Sequence, residues 1–284
     1  MTFKEASEEF LDYIKITRSN GTYRVYKGKV KVLAKFFKNY NIEDITKKDM
    51  IKFWKWRQDT YQGITPQTLN KYRTVLILMV EYHTDKRLNI AKLKENRKLT
   101  EIIHEEILFK VLTHLQIQEG YKEALRNLVL FKLLLDTGLR INETLNLKVS
   151  DFIFPDNTIH VKITKTKTER FVYFNDDTKR LLKRIITRDQ TSGYIFKSYK
   201  SQGRLSVDNV QNICYRIEKR LQLPYNIRPH KWRHTFATRF LKRGGDLETL
   251  RLILGHSSIK TTQRYLHLDN DFIKQQYFTI MQKH

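Results

Sequence analysis

The sequence has a single cysteine, Cys214, and no Cys/His set with the spacing of a zinc site. An intrachain disulfide is therefore excluded, and a structural zinc centre is not expected. The longest apolar run, residues 75–80, is far too short to span a bilayer, and the first residues lack the apolar core of a signal peptide. Together these absences predict a cytoplasmic protein with no membrane partner.

Acidic residues are scarce relative to basic ones. The 284 residues include 54 Lys and Arg against 30 Asp and Glu, a formal net charge of +24. The first 100 residues carry 22 basic and 11 acidic side chains and the remainder carry 32 and 19, so both halves share the excess. A field of this sign attracts polyanions. Nucleic acid is therefore the favoured partner; the alternatives are an acidic membrane surface or a merely soluble, basic protein.

Helical periodicity dominates the first 85 residues. Amphipathic patterns predict one helix over 3–17 and a second from about 22 to 39. Thr46, followed three residues later by Asp49, predicts a third helix start as a variant of the capping box. Thr65-Pro66 predicts a fourth, because proline is pre-set for the first helical position. Four helices in this length predict a compact bundle.

Basic and aromatic side chains alternate along this bundle, as in KFWKWR at 52–57. Cations can neutralise phosphates and aromatics can pack on sugars, which is typical of a nucleic-acid surface. The alternative is that the aromatics form the core and the cations a solvated face. Residues 86–102 are basic with few apolar anchors, and they predict a linker between an N-terminal domain, 1–85, and a second domain, 103–284.

The second domain is predicted to be mainly α with one small antiparallel β-sheet, an α+β fold. Its helices are predicted near 104–116, 120–136, 177–188, 206–221, 230–243 and 247–253, with another leading into Tyr265. Gly138 is expected to cap the apolar second helix. A period of two over 159–163 and a returning strand at 171–174 predict a hairpin with a basic tip.

A few polar side chains stand where these apolar helices end. Arg140 follows the buried helix directly, and Glu143, one turn along, could hold its guanidinium in place; alternatively, Arg140 caps the carbonyls of that helix. Arg233 lies one turn after His230, so the two side chains project to the same side. With a downstream histidine and Tyr265 they suggest a site for phosphate esters.

Three segments resemble the sequence boxes of the tyrosine recombinase (phage integrase) family. TGLRINE at 137–143 resembles the first box, HKWRHTFAT at 230–238 the His-x-x-Arg box, and LGHSSI at 254–259 with Tyr265 the final box. Their order, their spacing and the total length fit the family. Trp232 replaces the leucine that is more common there, an apolar exchange. The first 85 residues resemble the family's core-binding domain, a four-helix bundle, and the second domain its catalytic domain.

The resemblance implies a site-specific DNA recombinase that cleaves and rejoins strands by transesterification. Tyr265 would attack phosphorus and form a 3′-phosphotyrosyl link, releasing a 5′-hydroxyl. Arg140 and Arg233 would offer forked donors to the phosphate oxygens. His230 would transfer protons and contact the phosphate, and His256 would bind the phosphate.

The resemblance also implies a lysine on the hairpin that protonates the leaving oxygen. Alignment of Glu169-Arg170 with the family's strand start puts Lys165 at that position, with Lys167 as the alternative because a hairpin register is easily displaced by two. Tyr225 and Tyr277 are the alternative nucleophiles. Three other polar residues of the boxes are expected to be structural: His234, Thr235 and His267.

No metal and no cofactor are expected. The acidic residues are scattered, without the paired carboxylates of two-metal phosphoryl transfer, and no glycine-rich phosphate loop is present. A phosphotyrosine would conserve the energy of the broken bond, so ATP is not required. No small-molecule substrate is expected.

The expected partners are a double-stranded DNA recombination site and further copies of the chain, from dimer to tetramer on DNA. The apolar segment from Phe272 to Ile280 is expected to dock onto a neighbouring copy or onto its own chain. Because the bundle begins at the N-terminus, we expect a simple recombination site, as in chromosome-dimer resolution or compact integrases of mobile elements. The alternatives are a type IB-like topoisomerase and a non-catalytic DNA-binding regulator on the same scaffold.

Overall fold

The protein is described from a computed structural model, which covers residues 1–95, 101–118, 120–162, 169–199, 203–265 and 278. The chain divides into two compact units, Met1–Lys98 and Leu99–His284. Within the described parts of the chain, every helix is too short or too polar to cross a lipid bilayer.

The first unit is built from helices. Its α-helices are α1 (Phe3–Thr17), α2 (Asn20–Phe36), α3 (Lys47–Thr60) and α4 (Pro66–His83), with a 3₁₀ turn at Ile42–Asp44. The predicted start at Thr46 is confirmed, because the Asp49 carboxylate accepts the Thr46 N–H at 3.1 Å. The start at Thr65 is also confirmed, since its hydroxyl accepts the N–H of Thr68 at 3.3 Å.

Aromatic side chains fill the core of this unit. Phe53 contacts the rings of Phe36 and Tyr72, with centroid separations of 5.6 and 5.3 Å. Trp54 is buried beside it, while Lys52 and Lys55 are exposed. In this segment, therefore, the aromatics belong mainly to the core and the lysines form a solvated face.

Residues 86–95, the first part of the predicted linker, pack along α4. Ile90 is buried, and its carbonyl accepts a hydrogen bond from Nε of Arg73 at 2.6 Å. Asn70 exchanges two hydrogen bonds of 2.9 Å with the backbone of Leu93. The division into 1–85, 86–102 and 103–284 stays a prediction.

The second unit is mainly helical. Its α-helices are α5 (Glu105–Ile117), α6 (Lys122–Thr137), α7 (Ile141–Asn146), α8 (Asp176–Asp189), α9 (Val207–Arg220), α10 (Pro229–Lys242), α11 (Leu247–Leu254) and α12 (Ile259–Thr262), with 3₁₀ turns at Val149–Asp151 and Gln263–Tyr265. Helix α6 is buried on nearly all sides and packs against α5, α8 and α10. It is therefore the central helix of this unit.

One small antiparallel sheet accompanies these helices. Its strands are β1 (Phe152–Ile153), β2 (Thr158–Val161) and β3 (Arg170–Tyr173), in the order β1-β2-β3. Ile159 pairs with Val172 and Val161 with Arg170. The predicted fold class, mainly α with a small antiparallel sheet, is confirmed; β1 was not predicted, because two residues are too short to show alternation.

Candidate active site

The end of α6 brings the chain backbone directly against α10. Gly138 caps α6 in the left-handed conformation, with φ of +60°, as predicted. A Cβ atom built here would lie 2.2 Å from the ring of Phe236 on α10, so only glycine fits. The Gly138 carbonyl is thereby placed to accept a hydrogen bond from Arg233.

Arg140 immediately precedes α7, and the first turn of that helix holds it. Its backbone N–H donates to Oε2 of Glu143 at 2.9 Å, and its Nη1 donates to Oε1 at 3.0 Å. Nη2 reaches the carbonyl of Gly255 at 3.4 Å. The side chain remains about one-third exposed, at 34%, so an incoming anion can reach the guanidinium.

Glu143 also binds a second arginine, Arg170, at the start of β3. Nη2 and Nη1 of Arg170 donate to the two carboxylate oxygens at 2.7 and 3.3 Å, and its Nε donates to the carbonyl of Ile253 at 2.8 Å. Burial acts to raise the pKa of Glu143, but the hydrogen bonds and charges of Arg170 and then Arg140 outweigh it and lower the pKa. The ionised Glu143 therefore links the two guanidinium groups.

Arg233 is buried on α10, and its position is fixed from three directions. Nη1 donates to the carbonyl of Gly138 at 2.5 Å, and Nη2 donates to the carbonyl of Leu254 at 2.8 Å and to Nε2 of His256 at 2.9 Å. Burial, followed by the charge of Arg140, lowers its pKa to about 10. The guanidinium is still protonated at neutral pH and presents a positive charge in a low-dielectric setting.

The tautomer of His256 follows from its two partners. Arginine can only donate, so Nε2 of His256 accepts from Arg233, and the ring proton lies on Nδ1, where Oγ1 of Thr262 is 2.9 Å away. Burial, and then the charges of Arg233 and Arg140, lower the pKa of His256 to about 3. The ring is therefore neutral at physiological pH.

Tyr265 is buried, with 3% of its surface exposed, in a small apolar cluster with residues of α10 and α11. Burial raises the pKa of its phenol, while the charges of Arg233, Arg264 and Arg140 act in the opposite direction. Its hydroxyl lies 2.8 Å from Nδ1 of His234. The phenol is therefore both protonated and surrounded by arginines.

His230 stands at the exposed N-terminal end of α10. Partial desolvation of the ring, and then the charges of Arg233 and Arg140, lower its pKa. The structure thus brings Arg140, Glu143, Arg233, His256 and Tyr265 into one cluster, with His230 beside it. Lys165 and Lys167, and with them the choice of general acid, lie outside the described residues.

Two residues of the cluster were not predicted to act there. Arg170 served only as an alignment reference, although a charged residue opening an otherwise apolar strand was a usable signal. His234 was predicted to be structural, yet it contacts the hydroxyl of Tyr265; its place one turn after His230 on the same helix was the available clue.

The remaining predicted residues have other surroundings. Thr235 makes structural contacts, since its hydroxyl donates to the carbonyl of Lys231 at 2.7 Å and accepts the N–H of Ile103 at 2.9 Å. The hydroxyl of Tyr225 accepts the N–H of His104 at 2.9 Å. Of the C-terminal segment 272–280 the structure describes Phe278, which is exposed; His267 and Tyr277 lie outside the described residues.

Among the described residues, no three His, Cys, Asp or Glu side chains cluster as metal ligands would. The Phage integrase family model matches residues 102–271, and the model of the phage integrase N-terminal SAM-like domain matches residues 2–56. The first of these covers more than half of the chain. This chain belongs to the phage integrase family.

Its relatives in this family are tyrosine recombinases. Tyrosine recombinase XerA of Saccharolobus solfataricus is 41% identical over 176 residues, a match covering 61% of this chain and 57% of that protein. Tyrosine recombinase XerC of Oceanobacillus iheyensis is 26% identical over 291 residues, covering 95% of this chain and 93% of that protein. The chain is therefore a tyrosine site-specific recombinase.

Two solved structures share the fold of this chain. The Tn1549 transposon integrase, in complex with a circular intermediate DNA, has a TM-score of 0.81 at 18% identity, covering 99% of each chain. The XerH recombinase bound to a palindromic difH substrate has a TM-score of 0.76 at 23% identity, covering 95% of this chain and 83% of that one. At these identities the likeness is one of fold.

Proposed function

We propose that this tyrosine recombinase cleaves one strand of duplex DNA with Tyr265 and keeps the cut end as a 3′-phosphotyrosyl ester. One observation carries the proposal: a buried phenol shares a cluster with two arginines, Arg140 and Arg233, that are held by protein contacts. Those guanidinium groups suit a phosphodiester, whose two non-bridging oxygens accept forked hydrogen bonds.

The step exchanges one ester for another. Oη of Tyr265 forms a bond to phosphorus, the bond from phosphorus to the 5′-oxygen breaks, the phenol loses a proton to a base, and the leaving oxygen gains one. A free phenol has a pKa near ~10, so only about 0.1% is ionised at neutral pH. Arg140 and Arg233 would stabilise the charge on the pentacoordinate phosphorus, each by about two to three powers of ten in rate.

His256 first serves to hold Arg233, because its Nε2 accepts from that guanidinium. A bound phosphate would compete for the same donor and would favour a proton on Nε2, which then contacts the phosphate directly. We assign Lys165, with Lys167 as the alternative, as the acid for the leaving oxygen. Neither metal nor ATP has a part in the step, since the arginines supply the positive charge and the phosphotyrosine retains the bond energy.

We further propose duplex DNA as the substrate and several copies of the chain as the working assembly. The net charge of +24 suits a polyanion, and the related Tn1549 and XerH structures are complexes with DNA. Residues 1–85 would grip the duplex as a core-binding domain and residues 103–284 would carry the chemistry. The single, buried Cys214 suits the reducing cytoplasm that we propose as its location.

The decisive experiment is covalent capture without metal. Duplexes that bind the protein are selected from a randomised library and rebuilt with a nick beside the cut position, so that cleavage releases a short strand and cannot reverse. The expected product is an SDS-stable protein–DNA adduct whose DNA carries a free 5′-hydroxyl, formed in the presence of a chelator. Tyr265→Phe should form none.

Two results would contradict the proposed cleavage step, and a third would change the reaction that it serves. Adduct formation by Tyr265→Phe would show a different nucleophile, and Tyr225→Phe serves as the matched control that should retain activity. Binding without any adduct would favour a regulatory DNA-binding protein. Relaxation of a supercoiled plasmid that lacks a second site would favour a type IB-like topoisomerase.

A further inference from the structure

The phenol of Tyr265 and the imidazole of His234 are joined directly. The distance from Oη to Nδ1 is 2.8 Å, and the ring centroids are 5.5 Å apart with planes inclined by 54°. Such a separation is that of a hydrogen bond along which a proton can pass. We propose that His234 is the general base that takes the proton of Tyr265 during strand cleavage; this inference rests on the proposed function of Tyr265 as nucleophile.

Neighbouring groups are less suited to this role. His256 has both ring nitrogens engaged, one by Arg233 and the other by Thr262. Arg233 is a donor only and remains protonated. His230, to which the family resemblance assigns proton transfer, stands exposed at the start of α10, whereas His234 lies one turn deeper and touches the phenol.

The surroundings of His234 keep its ring neutral. Arg264 from the 3₁₀ turn, and His230 and Arg233 from α10, act on it together with Tyr265. Burial, and then Arg264, His230 and Arg233, lower the pKa of His234 to about 4. A neutral ring with its proton on Nε2 offers a free lone pair at Nδ1, which is the nitrogen that faces the phenol.

A base with so low a pKa would be weak, and a bound phosphate raises that pKa in part. The scissile phosphodiester brings a negative charge among the same arginines, so it offsets the part of the shift that comes from their charge rather than from burial. As Oη of Tyr265 bonds to phosphorus, its proton passes to Nδ1 while the 5′-oxygen leaves with a proton from the hairpin acid. On rejoining, the imidazolium returns the proton to the departing phenol. Atoms and charge balance in both directions.

The test uses single-turnover cleavage of the selected, nicked duplex by the full chain. His234→Asn keeps a hydrogen-bonding group near the phenol but cannot take a proton, and His234→Gln serves as a second variant. His114→Asn, on α5, is the matched histidine-to-amide control. We expect both His234 variants to cleave about 10²–10⁴-fold more slowly, while binding to the duplex and the thermal midpoint stay near the wild-type values.

Two readouts separate a base from a structural residue. The cleavage rate of the His234 variants should rise about tenfold per pH unit towards the pKa of the phenol, whereas the wild-type profile is flatter over the same range. A substrate with sulfur in place of the 5′-bridging oxygen has a leaving group that needs no acid. This substrate should restore the cleavage rate of a variant that lacks the proposed acid, Lys165. The His234 variants should still cleave it slowly.

Several outcomes would overturn the inference. Wild-type cleavage by His234→Asn and His234→Gln would do so, as would a slow rate with an unchanged pH profile, which indicates a structural role. Rescue by the sulfur-containing substrate would make His234 an acid. If the wild type binds the duplex but forms no adduct, the proposed function itself fails, a result distinct from failure of the His234 variants alone.

Discussion

At the scale of single residues, Gly138 sets how closely the end of α6 approaches α10. It combines a positive φ of +60° with a Cβ position that would lie 2.2 Å from the ring of Phe236. Its carbonyl also holds Arg233. A single hydrogen atom in place of a side chain therefore positions one of the two arginines of the site.

We expect Gly138→Ala to lower the free energy of unfolding. The left-handed backbone conformation should cost about 1–2 kcal/mol, and the contact of the new methyl group with Phe236 roughly 1–3 kcal/mol more. Cleavage should fall as well, because Arg233 shifts. Gly244→Ala is the control, since Gly244 has φ of +90° with open space around its Cβ position. Urea unfolding of both variants provides the measurement, and equal losses would show that the contact with Phe236 contributes nothing.

His256, which is buried, and His234, which is half-buried, give the fold a dependence on pH. His256 gains a proton near its ordinary pKa of about 6.5 in the unfolded chain, but in the folded chain its pKa is about 3. Between these values the unfolded state binds more protons, so stability falls as the pH falls. His234, with a pKa of about 4, acts in the same direction.

His256→Asn should lose less stability at low pH than the wild type does. From about pH 6.5 to about pH 5 the wild type should lose about 2 kcal/mol more than the variant, because one proton corresponds to about 1.4 kcal/mol per pH unit. Urea unfolding at a series of pH values would check this. Parallel curves for the two proteins would mean that folding does not lower the pKa of His256.

At the scale of elements, Arg170 ties β3 to the ends of α7 and α11. The side chains of Arg170 and Glu143 are 9% and 6% exposed. The pair is therefore desolvated, and water cannot easily take the place of a lost partner. Through Glu143 the strand that follows the hairpin is joined to Arg140. The position of β3 and the position of that arginine are thereby coupled.

A double-mutant cycle should reveal this coupling. Glu143→Gln should cost about 3–5 kcal/mol by leaving the buried charge of Arg170 unpaired, and Arg170→Met should cost less, because Arg140 still pairs with Glu143. The double variant should cost less than the sum of the two by about 0.5–3 kcal/mol. The exposed pair Asp177 and Arg180 on α8 is the control and should show almost no coupling. Additive losses at Glu143 and Arg170 would refute the link.

At the scale of the whole molecule, the excess of basic residues extends over both units. Binding to the selected duplex should therefore weaken steeply with salt. With six to ten phosphate contacts, the affinity falls by about 10³–10⁵ between about 50 and 200 mM salt. Fluorescence anisotropy over a salt series would measure the slope, and a flat response would mean that the charge does not contact the duplex backbone.

Each unit also has its own apolar core. We expect residues 1–98, expressed alone, to fold and to unfold cooperatively in urea. Within this fragment Leu33→Ala on α2 should cost about 2–5 kcal/mol, since Leu33 is fully buried. Val25→Ala on the same helix, at a 55% exposed position, should cost less than ~0.5 kcal/mol. An unfolded fragment would show that the first unit depends on the second.

Much of this molecule could be predicted from local patterns. Helix ends at Thr46, Thr65 and Gly138 depend on caps formed within a few residues, and the apolar periodicity of α6 is visible in any window along it. Strand β1 was not predicted, because two residues are too few to show an alternating pattern. It is a strand only because it pairs with β2 in the folded sheet. The family resemblance also depended on short boxes in order along the chain.

The sequence by itself determined the helical units, the excess of positive charge and the identity of the residues in the boxes, because each is set by neighbours along the chain. Only the tertiary structure decided that Arg140 reaches Gly255, 115 residues away, and Arg170 reaches Ile253, 83 residues away. The contact of His234 with Tyr265 is of the same kind. Such contacts arise where α6, α10, α11 and β3 pack together, and no local periodicity encodes the direction in which a polar side chain points across that packing.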